Sequence, residues 1–178
     1  MLPPLSLVLG GAASGKSAYA ESLVTGTGRA RVYFATAQAF DAEMKDKITR
    51  HQDLRGQGWR LIEEPLEVGR TLAGISGDNA ILLDCATMWL SNHLLGETDL
   101  AENDLAEAEA GLMAGLALCA APVVIVSNEV GHSVVPDNAL ARRFQIEQGR
   151  LNQKLGKKAE LVANVIAGLP QVLKGTLP

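Results

Sequence analysis

The sequence lacks the features that mark disulfide-rich, membrane-spanning and broadly nucleic-acid-binding proteins. Only two of its 178 residues are cysteines. Cys85 and Cys119 are too few and too distant in sequence to indicate a disulfide framework or a zinc site, so we expect small core residues there. No apolar run reaches the length of about 20 residues that a membrane-spanning helix needs. The longest candidate, 110–126, is divided by glycine, Cys119 and Pro122 into a helix end and a strand.

Charge is also in short supply, since charged residues make up 20% of the chain and the formal net charge is −4. This balance gives no support for broad nucleic-acid binding, although a local basic loop is compatible with it. No basic region precedes the first apolar strand, so the sequence predicts no signal peptide and, with few thiols, a cytoplasmic protein. A hydrophobic content of 47% predicts one globular domain spanning 1–178.

The most specific motif is a glycine-rich segment that follows an apolar strand near the amino terminus. The strand is predicted to begin at Leu5, and the segment 10–17 has the sequence GGAASGKS, which fits the phosphate-binding pattern G-x-x-x-x-G-K-[ST]. Chance alone would produce this pattern in a chain of this length with a probability of about one per cent. We therefore predict a P-loop with nucleotide contacts at Gly10, Gly11, Ala12, Ala13, Ser14, Gly15, Lys16 and Ser17.

The residue types of this segment suit the binding of a triphosphate. Glycine lets the backbone approach phosphate oxygens, and the helix expected after it presents free N–H groups and the positive end of its dipole. Lys16 supplies a positive charge for the β- and γ-phosphates, and the Ser17 hydroxyl can ligate Mg²⁺. The alternative is an ordinary glycine-rich turn, but the strand before the segment and the helix after it favour the nucleotide site.

Predicted strands and helices alternate along the whole chain. Strands are predicted at 5–9, 31–35, 59–62, 79–85, 123–127 and 161–167, and helices at 17–24, 41–55, 66–75, 87–95, 104–120 and 137–157. The alternation predicts right-handed crossovers and an α/β fold with three layers around a mostly parallel sheet. Ligands of such sheets bind at the carboxyl ends of the strands. We therefore expect one site beside the predicted strand ends, at Gly10, Ala35, Thr36, Ala37, Glu63, Asp84 and Asn128.

Asp84 ends the apolar run Ile81-Leu82-Leu83, as the acidic residue of a Walker B strand does. A carboxylate there can hold Mg²⁺, directly or through water, opposite Ser17. Many strands end in aspartate, and the alternative is a residue that caps a turn. The P-loop upstream favours the metal role.

His51 lies on the apolar face of the predicted helix 41–55. A histidine in such a position is usually half-buried and structural. Three cations on the same segment, Lys47, Arg50 and Arg55, suit a triphosphate and would lower the pKa of the histidine, which favours a neutral, nucleophilic imidazole near pH 7. The same cations fit a solvated basic helix face equally well, so the residues alone leave both roles of His51 open.

The segment 127–131, with the sequence SNEVG, follows another buried strand at the same sheet edge. Its polar groups fit a substrate site and the capping of a loop equally well. Farther along, Arg142 and Arg143 fit an exposed helix face better than a phosphate clamp, and Asp137 is the expected N-cap of that helix.

Seven blocks, spread over nearly the whole chain, carry a resemblance to a known family. They are GGAASGKSAYAE (10–21), YFATAQAFDAEMKDKITRHQDLR (33–55), WRLIEEP (59–65), AILLDC (80–85), VVIVSNEVG (123–131), VPDNALARRFQIEQGRLNQKL (135–155) and VIAGLP (165–170). In these blocks the sequence resembles the bifunctional adenosylcobinamide kinase / adenosylcobinamide-phosphate guanylyltransferase family of cobalamin biosynthesis. The P-loop is shared by many families, whereas the ATAQ…DAEM…I-x-x-H and S-N-E-V-G blocks are specific to this one.

The resemblance implies two reactions. In the first, ATP or GTP phosphorylates the hydroxyl on the aminopropanol arm of adenosylcobinamide. In the second, GTP guanylylates an enzyme histidine with release of pyrophosphate, and GMP then passes to adenosylcobinamide phosphate to give adenosylcobinamide-GDP. The family's histidine falls on His51, and Lys16 is the other catalytic residue that we expect.

The resemblance also implies a P-loop NTPase-like fold, a corrinoid small molecule as partner substrate and a homotrimer. We expect no nucleic-acid partner and no insertion into a membrane. The family's GTP-binding segments carry over to Gly10–Ser17 and Ala35–Ala37, to Gln52, Asp53, Leu54 and Arg55, and to single contacts at Glu63 and Asp84. The expected Mg²⁺ ligands are Ser17 and Asp84.

This chain departs from the family's pattern at three positions. Ala13 stands where the family's loop often has arginine, which removes one cation over the phosphates. Lys47 replaces a common arginine, and Leu61 replaces a common threonine. None of these changes removes a residue that is central to either reaction.

Two other functions are alternatives. One is another small-metabolite P-loop kinase in which His51 is structural. The other is a non-catalytic nucleotide switch, but the N-K-x-D signature of regulatory GTPases is absent because Glu129 follows Asn128, and no D-x-x-G follows Asp84. The sequence does not locate the corrinoid pocket, and Glu129 is its candidate for the base of the kinase step.

Overall fold

The computed structural model describes residues 1–37, 58–95 and 102–178. Within these ranges the helices and strands are β1 (Leu5–Gly10), α1 (Lys16–Thr25), β2 (Ala30–Ala35), β3 (Trp59–Glu63), α2 (Val68–Leu72), β4 (Asn79–Asp84), α3 (Ala86–Leu95), α4 (Glu102–Leu118), β5 (Val123–Asn128), α5 (Ala139–Lys158), β6 (Leu161–Ile166) and β7 (Leu169–Lys174). The predicted helix 41–55 lies outside the described residues. None of the helices in the described ranges has the length and apolarity needed to cross a membrane.

The strands pair in one sheet in the order β3-β2-β4-β5-β1-β6-β7. All neighbouring pairs from β3 to β6 are parallel, and β7 pairs with β6 in the antiparallel direction. The central strands β4 and β5 are buried along most of their length. Parallel strands covered on both faces are continuous apolar runs, as these are. The predicted α/β fold with a mostly parallel sheet is confirmed.

Helices cover both faces of the sheet and enclose two hydrophobic cores. Alternate residues of a strand point to opposite faces, so Ile81 and Leu83 lie in one core and Leu82 lies in the other. The first core takes side chains from α2, α3, α4 and α5, including the fully buried Trp89. Helix α1 covers the second core and contributes Ala20, Leu23 and Val24 to it. These are the three predicted layers.

Glycine allows α2 and α4 to cross in backbone contact. A Cβ added at Gly115 would lie 2.1 Å from the carbonyl oxygen of Gly69, and one added at Gly69 would lie 2.2 Å from the carbonyl oxygen of Gly111. The helix predicted over 66–75 is shorter than expected, because the amides of Gly74 and the next residue form i→i+3 turns that end it.

The structure adds a strand that the sequence reasoning missed. The sequence predicts that Gly168, Leu169 and Pro170 close the last strand, but the chain instead turns at Ala167–Gly168 and returns as β7. Both turn residues have a positive φ, 52° at Ala167 and 79° at Gly168. Positive φ at both central residues is typical of the two-residue turns that connect the strands of a hairpin. Pro170 is tolerated because β7 is the edge strand and needs no full ladder of amides.

The predicted N-cap of the last helix is wrong by one residue. Helix α5 begins at Ala139, and the Asn138 side chain accepts a hydrogen bond of 2.7 Å from the amide of Ala141. Asp137 stays outside the helix, and its carbonyl accepts a bond of 2.8 Å from the Arg142 guanidinium. Asparagine and aspartate are equally good caps, so the residue type could not decide between the two neighbours.

Candidate functional site

The P-loop connects the end of β1 to the start of α1, and two of its glycines are required by their surroundings. A Cβ at Gly10 would lie 2.4 Å from Ser14 Oγ and 2.8 Å from the carbonyl oxygen of Val165. Gly15 has a φ of +92°, and a Cβ there would lie 3.0 Å from the Cα of Gly168. These contacts explain why the first and last glycines of the motif cannot carry a side chain.

The β6–β7 turn braces this loop. The amide of Gly168 donates a hydrogen bond of 2.8 Å to the carbonyl of Ser14, and the amide of Ser14 donates one of 3.3 Å to the carbonyl of Gly11. The contact joins residues more than 150 positions apart, so no local sequence pattern predicts it. The loop is therefore anchored by β1, which leads into it, and by the turn between β6 and β7.

The cationic and hydroxyl groups of the motif lie where the pattern predicts them. Lys16 is the first residue of α1, and its Nζ donates a bond of 3.0 Å to the carbonyl of Gly11. Ser17 follows in the first turn and is partly exposed, and Gly11, Ala12 and Ala13 are exposed. Ala13 has a φ of 54°, so the position that often holds arginine in the family adopts a left-handed conformation here.

The predicted strand ends form a common edge. In the strand register Gly10 pairs with Asn128, and Ala35 pairs with both Asp84 and Glu63. The amide of Glu129 donates a bond of 3.1 Å to the carbonyl of Gly10, which ties the loop after β5 to the P-loop. The prediction that these residues meet at one edge of the sheet is confirmed.

Asp84 is held in place by a residue that the sequence reasoning did not single out. The Tyr33 hydroxyl donates a hydrogen bond of 2.6 Å to Asp84 Oδ2. Burial and the neighbouring Asp84 carboxylate raise the pKa of the Cys85 thiol to about 12, while Lys16 acts in the opposite direction. Lys16 and Asp84 therefore both act electrostatically on the same thiol.

The residues predicted to ligate Mg²⁺ fit that ion by their chemistry. Mg²⁺ prefers oxygen ligands and is commonly bound by one or two protein groups together with phosphates and waters. Asp84 supplies a partly exposed carboxylate, and Ser17 supplies a hydroxyl at the start of α1. No group of three or more histidine, cysteine or acidic side chains with metal-site geometry occurs among residues 1–37, 58–95 and 102–178.

Thr36 serves as a link between β2 and β4. Its hydroxyl donates a bond of 2.7 Å to the carbonyl of Cys85 and accepts one of 2.9 Å from the Cys85 amide. Its carbonyl accepts a bond of 2.7 Å from the amide group of Asn92, and its side chain is fully buried. These contacts fix the segment 35–37 beside Asp84, whereas direct contact of Thr36 with a nucleotide stays a prediction.

A buried polar network, which the sequence reasoning missed, supports the end of β5. Ser127 Oγ donates a bond of 2.6 Å to Asn152 Oδ1, and the Asn152 amide group donates one of 3.1 Å to the carbonyl of Asn128. Gln148 Nε2 donates to both side chains at 3.0 Å. The spacing of Gln148 and Asn152, four residues apart on one helix face, was the available signal.

The loop after β5 forms hydrogen bonds within itself and to α3. Glu129 Oε1 accepts a bond of 2.7 Å from the amide of Gly131, and the amide of Asn128 donates one of 2.8 Å to Thr87 Oγ1. These bonds are those of a capped loop. A direct role of Glu129 toward substrate stays a prediction.

Five predicted site residues lie outside the described residues, namely His51, Gln52, Asp53, Leu54 and Arg55. Ala35 and Glu63 lie at the same sheet edge as Asp84, and Ala37 follows two residues after the end of β2. The nucleotide contacts of all three stay predictions. His93, which has no role in the sequence reasoning, packs edge-on against Trp89 at a ring distance of 4.6 Å. Burial lowers the pKa of His93.

Comparison with known proteins supports the resemblance over nearly the whole chain. The model of the family described as cobinamide kinase / cobinamide phosphate guanyltransferase matches residues 6–173. The bifunctional adenosylcobalamin biosynthesis protein CobP of Pseudomonas aeruginosa is 43% identical over 95% of this chain and 96% of its own length. The corresponding protein CobU of Salmonella typhimurium is 40% identical over 94% of this chain and 98% of its own length.

Solved structures show the fold. The RadB recombinase aligns with a TM-score of 0.50 over 92% of this chain and 74% of its own chain, at 17% sequence identity. At that identity the likeness concerns the fold alone. The P-loop NTPase-like sheet that the sequence predicts is confirmed.

Proposed function

The chain belongs to the cobinamide kinase / cobinamide phosphate guanyltransferase family, and we propose that it carries out both reactions of that name. It phosphorylates adenosylcobinamide with ATP or GTP, and it then transfers GMP from GTP through a guanylyl-histidine to adenosylcobinamide phosphate. The observation that carries the proposal is a family match over residues 6–173 in a chain whose P-loop is bonded to the β6–β7 turn and whose β4 ends in Asp84.

In the kinase step, the substrate hydroxyl oxygen attacks the γ-phosphorus of the nucleotide, and the bond to the β-phosphate oxygen breaks. The nucleoside diphosphate leaves with that electron pair, and the hydroxyl proton passes to a base. Lys16 and the amides at the start of α1 stabilise the negative charge on the phosphates. Glu129 is our candidate for the base, because its own amide bonds to the carbonyl of Gly10.

In the guanylyl step, an imidazole nitrogen of His51 attacks the α-phosphorus of GTP, and pyrophosphate leaves. The phosphate oxygen of adenosylcobinamide phosphate then attacks the same phosphorus, the phosphorus–nitrogen bond breaks, and the imidazole is regenerated. A covalent intermediate of this kind divides one difficult transfer into two easier ones. The sequence supports the role of His51 through the I-x-x-H pattern.

Ser17 and Asp84 would hold Mg²⁺ at this site. When bound, the ion would neutralise charge on the β- and γ-phosphates. The chain's own residues prepare the position, because the Tyr33 hydroxyl donates a hydrogen bond to one oxygen of the Asp84 carboxylate. Gln52, Asp53, Leu54 and Arg55 are proposed to complete the contacts to GTP.

The proposal is tested by incubating the full chain with α-labelled GTP and magnesium, without corrinoid, and measuring label that is lost in acid and retained in base. We expect one label per active site on His51, and loss of labelling in His51→Ala with the kinase step retained. An unlabelled but folded wild-type protein that still phosphorylates cobinamide would favour the alternative of a P-loop kinase with a structural His51.

The P-loop lysine provides a second arm of this experiment. Removing a group that stabilises phosphate charge costs about 10²–10³ in rate, so Lys16→Ala should reduce both activities by at least about 100-fold if one P-loop serves both steps. The exposed Lys158→Ala, at the far end of α5, is the matched control. Normal guanylylation in Lys16→Ala would show that the two reactions use separate nucleotide sites.

The assembly and location of the protein are part of the same proposal. The resemblance leads us to propose a homotrimer, and light scattering of the purified chain measures its mass directly. A cytoplasmic location likewise stays a prediction from the sequence, and cell fractionation tests it.

A further inference from the structure

An uncharged pocket opens between the loop after β5 and the helices α3 and α5. It has a volume of about 530 Å³ and is lined by Ser91, Val130, Ser133, Pro136, Asn138, Leu140, Ala141, Phe144 and Gln145. Pockets of about 300–1,000 Å³ with mostly apolar walls and a few polar groups are typical of small-molecule sites. No residue that lines this pocket carries a charge.

We propose that this pocket, the Leu140 pocket, binds an edge of the corrin macrocycle of the substrate. This inference rests on the proposed function and adds to it the place where the corrinoid is recognised. Four kinds of observation support it: the position of the pocket, its chemistry, the fixation of its walls and the exposure of the apolar residues around it.

The position follows from the chemistry of phosphoryl transfer. The acceptor hydroxyl must approach the phosphorus to about 3–3.5 Å, so the acceptor site has to adjoin the P-loop. The pocket's loop does so, because Glu129, directly before Val130, bonds through its amide to the carbonyl of Gly10. By contrast, a second cavity, which includes Met1, Arg29 and Pro122, lies at the ends where β1, β2 and β5 begin, on the opposite edge of the sheet.

The chemistry of the lining fits a macrocycle that carries carboxamide side chains. The aliphatic and aromatic groups of Leu140 and Phe144 offer apolar surface, while Ser91 and Asn138 offer groups that can donate and accept hydrogen bonds. A third cavity, between α2 and α4, is lined in part by Glu67, Asp104 and Glu107. Charged side chains are costly to desolvate against the apolar parts of a corrinoid, so the uncharged lining of the Leu140 pocket fits that ligand better.

The walls of the Leu140 pocket are fixed by hydrogen bonds between the loop and α5. Gln145 Nε2 donates to the carbonyl of Val130 at 2.9 Å and to Ser133 Oγ at 3.2 Å. The Arg142 guanidinium donates to the carbonyls of Pro136 and Asp137 at 2.9 and 2.8 Å. A site whose walls are fixed before binding loses less conformational freedom when its ligand binds.

Exposed aliphatic side chains lie along the same loop and in the first turn of α5. Val134 is 91% exposed, Val135 is 73% exposed and Leu140 is 50% exposed. Contiguous exposed apolar surface marks binding sites more often than scattered single residues do. The occupant to which we commit is the corrinoid, because the patch is continuous with the loop that reaches the P-loop.

Two matched substitutions on α5 test the inference. Leu140 lines the pocket and is 50% exposed, whereas Ile146 is 53% exposed on the same helix and does not line it. Leu140→Gln should raise the KM for cobinamide about tenfold, which corresponds to about 1.4 kcal/mol. The KM for the nucleotide and the labelling of the enzyme by GTP alone should not change, and Ile146→Gln should match the wild type in every assay.

Each possible result either supports or overturns the assignment of the Leu140 pocket to the corrinoid. A tenfold rise in the KM for cobinamide that is confined to Leu140→Gln supports the inference, and calorimetric titration of cobinamide should show the same loss of affinity. An unchanged KM in Leu140→Gln, with active wild-type enzyme, overturns the pocket and leaves the proposed function intact. A change of oligomeric mass in Leu140→Gln with an unchanged KM assigns the patch to contact between copies and also overturns it. A wild-type protein that neither phosphorylates cobinamide nor accepts label from GTP overturns both proposals.

Discussion

Replacing Gly115 by alanine tests whether the crossing of α2 and α4 depends on glycine. Both Gly115 and Gly69 are buried at the crossing. The added Cβ would lie 2.1 Å from the carbonyl oxygen of Gly69 and 2.4 Å from its Cα and carbonyl carbon. These are backbone atoms, so no side chain can rotate away, and α2 must move by about 1 Å to restore ordinary contact distances.

The expected cost follows from two opposing effects. Overpacking of a well-packed interior costs about 1–3 kcal/mol, and a clash with backbone atoms falls at the upper end of that range. Alanine gains about 0.5–1 kcal/mol over glycine in a helix interior. We therefore expect a net loss of about 2 kcal/mol, which lowers the Tm of a chain of this size by about 4–8 °C.

Gly111 provides the matched control because it lies on the same helix four residues earlier. A Cβ added there meets no atom within 4 Å, so Gly111→Ala should be neutral or stabilise the protein by up to about 1 kcal/mol. Denaturant unfolding followed by circular dichroism measures both variants. Equal stability of Gly115→Ala and Gly111→Ala would refute the reasoning, because it would show that α2 yields to the methyl group without cost.

Two further predictions concern the site and its surroundings. Tyr33→Phe removes the hydrogen bond to Asp84 Oδ2 and keeps the aromatic ring. The Mg²⁺ concentration that gives half-maximal kinase activity should therefore rise several-fold. An unchanged Mg²⁺ concentration would contradict the assignment of Asp84 as a metal ligand that Tyr33 holds in place. Burial lowers the pKa of His93, so below about pH 6.5, the ordinary histidine pKa, the unfolded chain binds more protons than the folded one. The free energy of unfolding should therefore fall between pH 7.5 and pH 5.5, and it should fall less in His93→Gln; equal slopes for both proteins would contradict this.

The sheet edge could be predicted because its signals are local. Each strand end is marked where an apolar run meets a polar or glycine residue, as at Gly10, Asp84 and Asn128. Parallel connections bring such ends to one edge without any knowledge of the strand order. The register confirms this, since Gly10 pairs with Asn128 and Asp84 pairs with Ala35.

The contacts that support the site could not be predicted, because they join distant parts of the chain. The Tyr33 hydroxyl reaches Asp84 because β2 and β4 are neighbours in the sheet, although β3 lies between them in sequence. Gln148 and Asn152 support the end of β5 from α5. Sequence patterns show which residues share a helix face, but they do not show which strand that face meets.

The missed hairpin shows how the last part of the chain shapes the first motif. The conformation of the P-loop requires a left-handed φ at Gly15. The position also requires a residue without a side chain, because the Cα of Gly168 lies 3.0 Å from where a Cβ would be. The amide of Gly168 in turn bonds to the carbonyl of Ser14, and the turn that presents this amide exists only because β7 returns along β6. The geometry of the phosphate loop is therefore set jointly by its own glycines and by a turn near the carboxyl end. Variants of that turn should disturb nucleotide binding although they lie outside the motif.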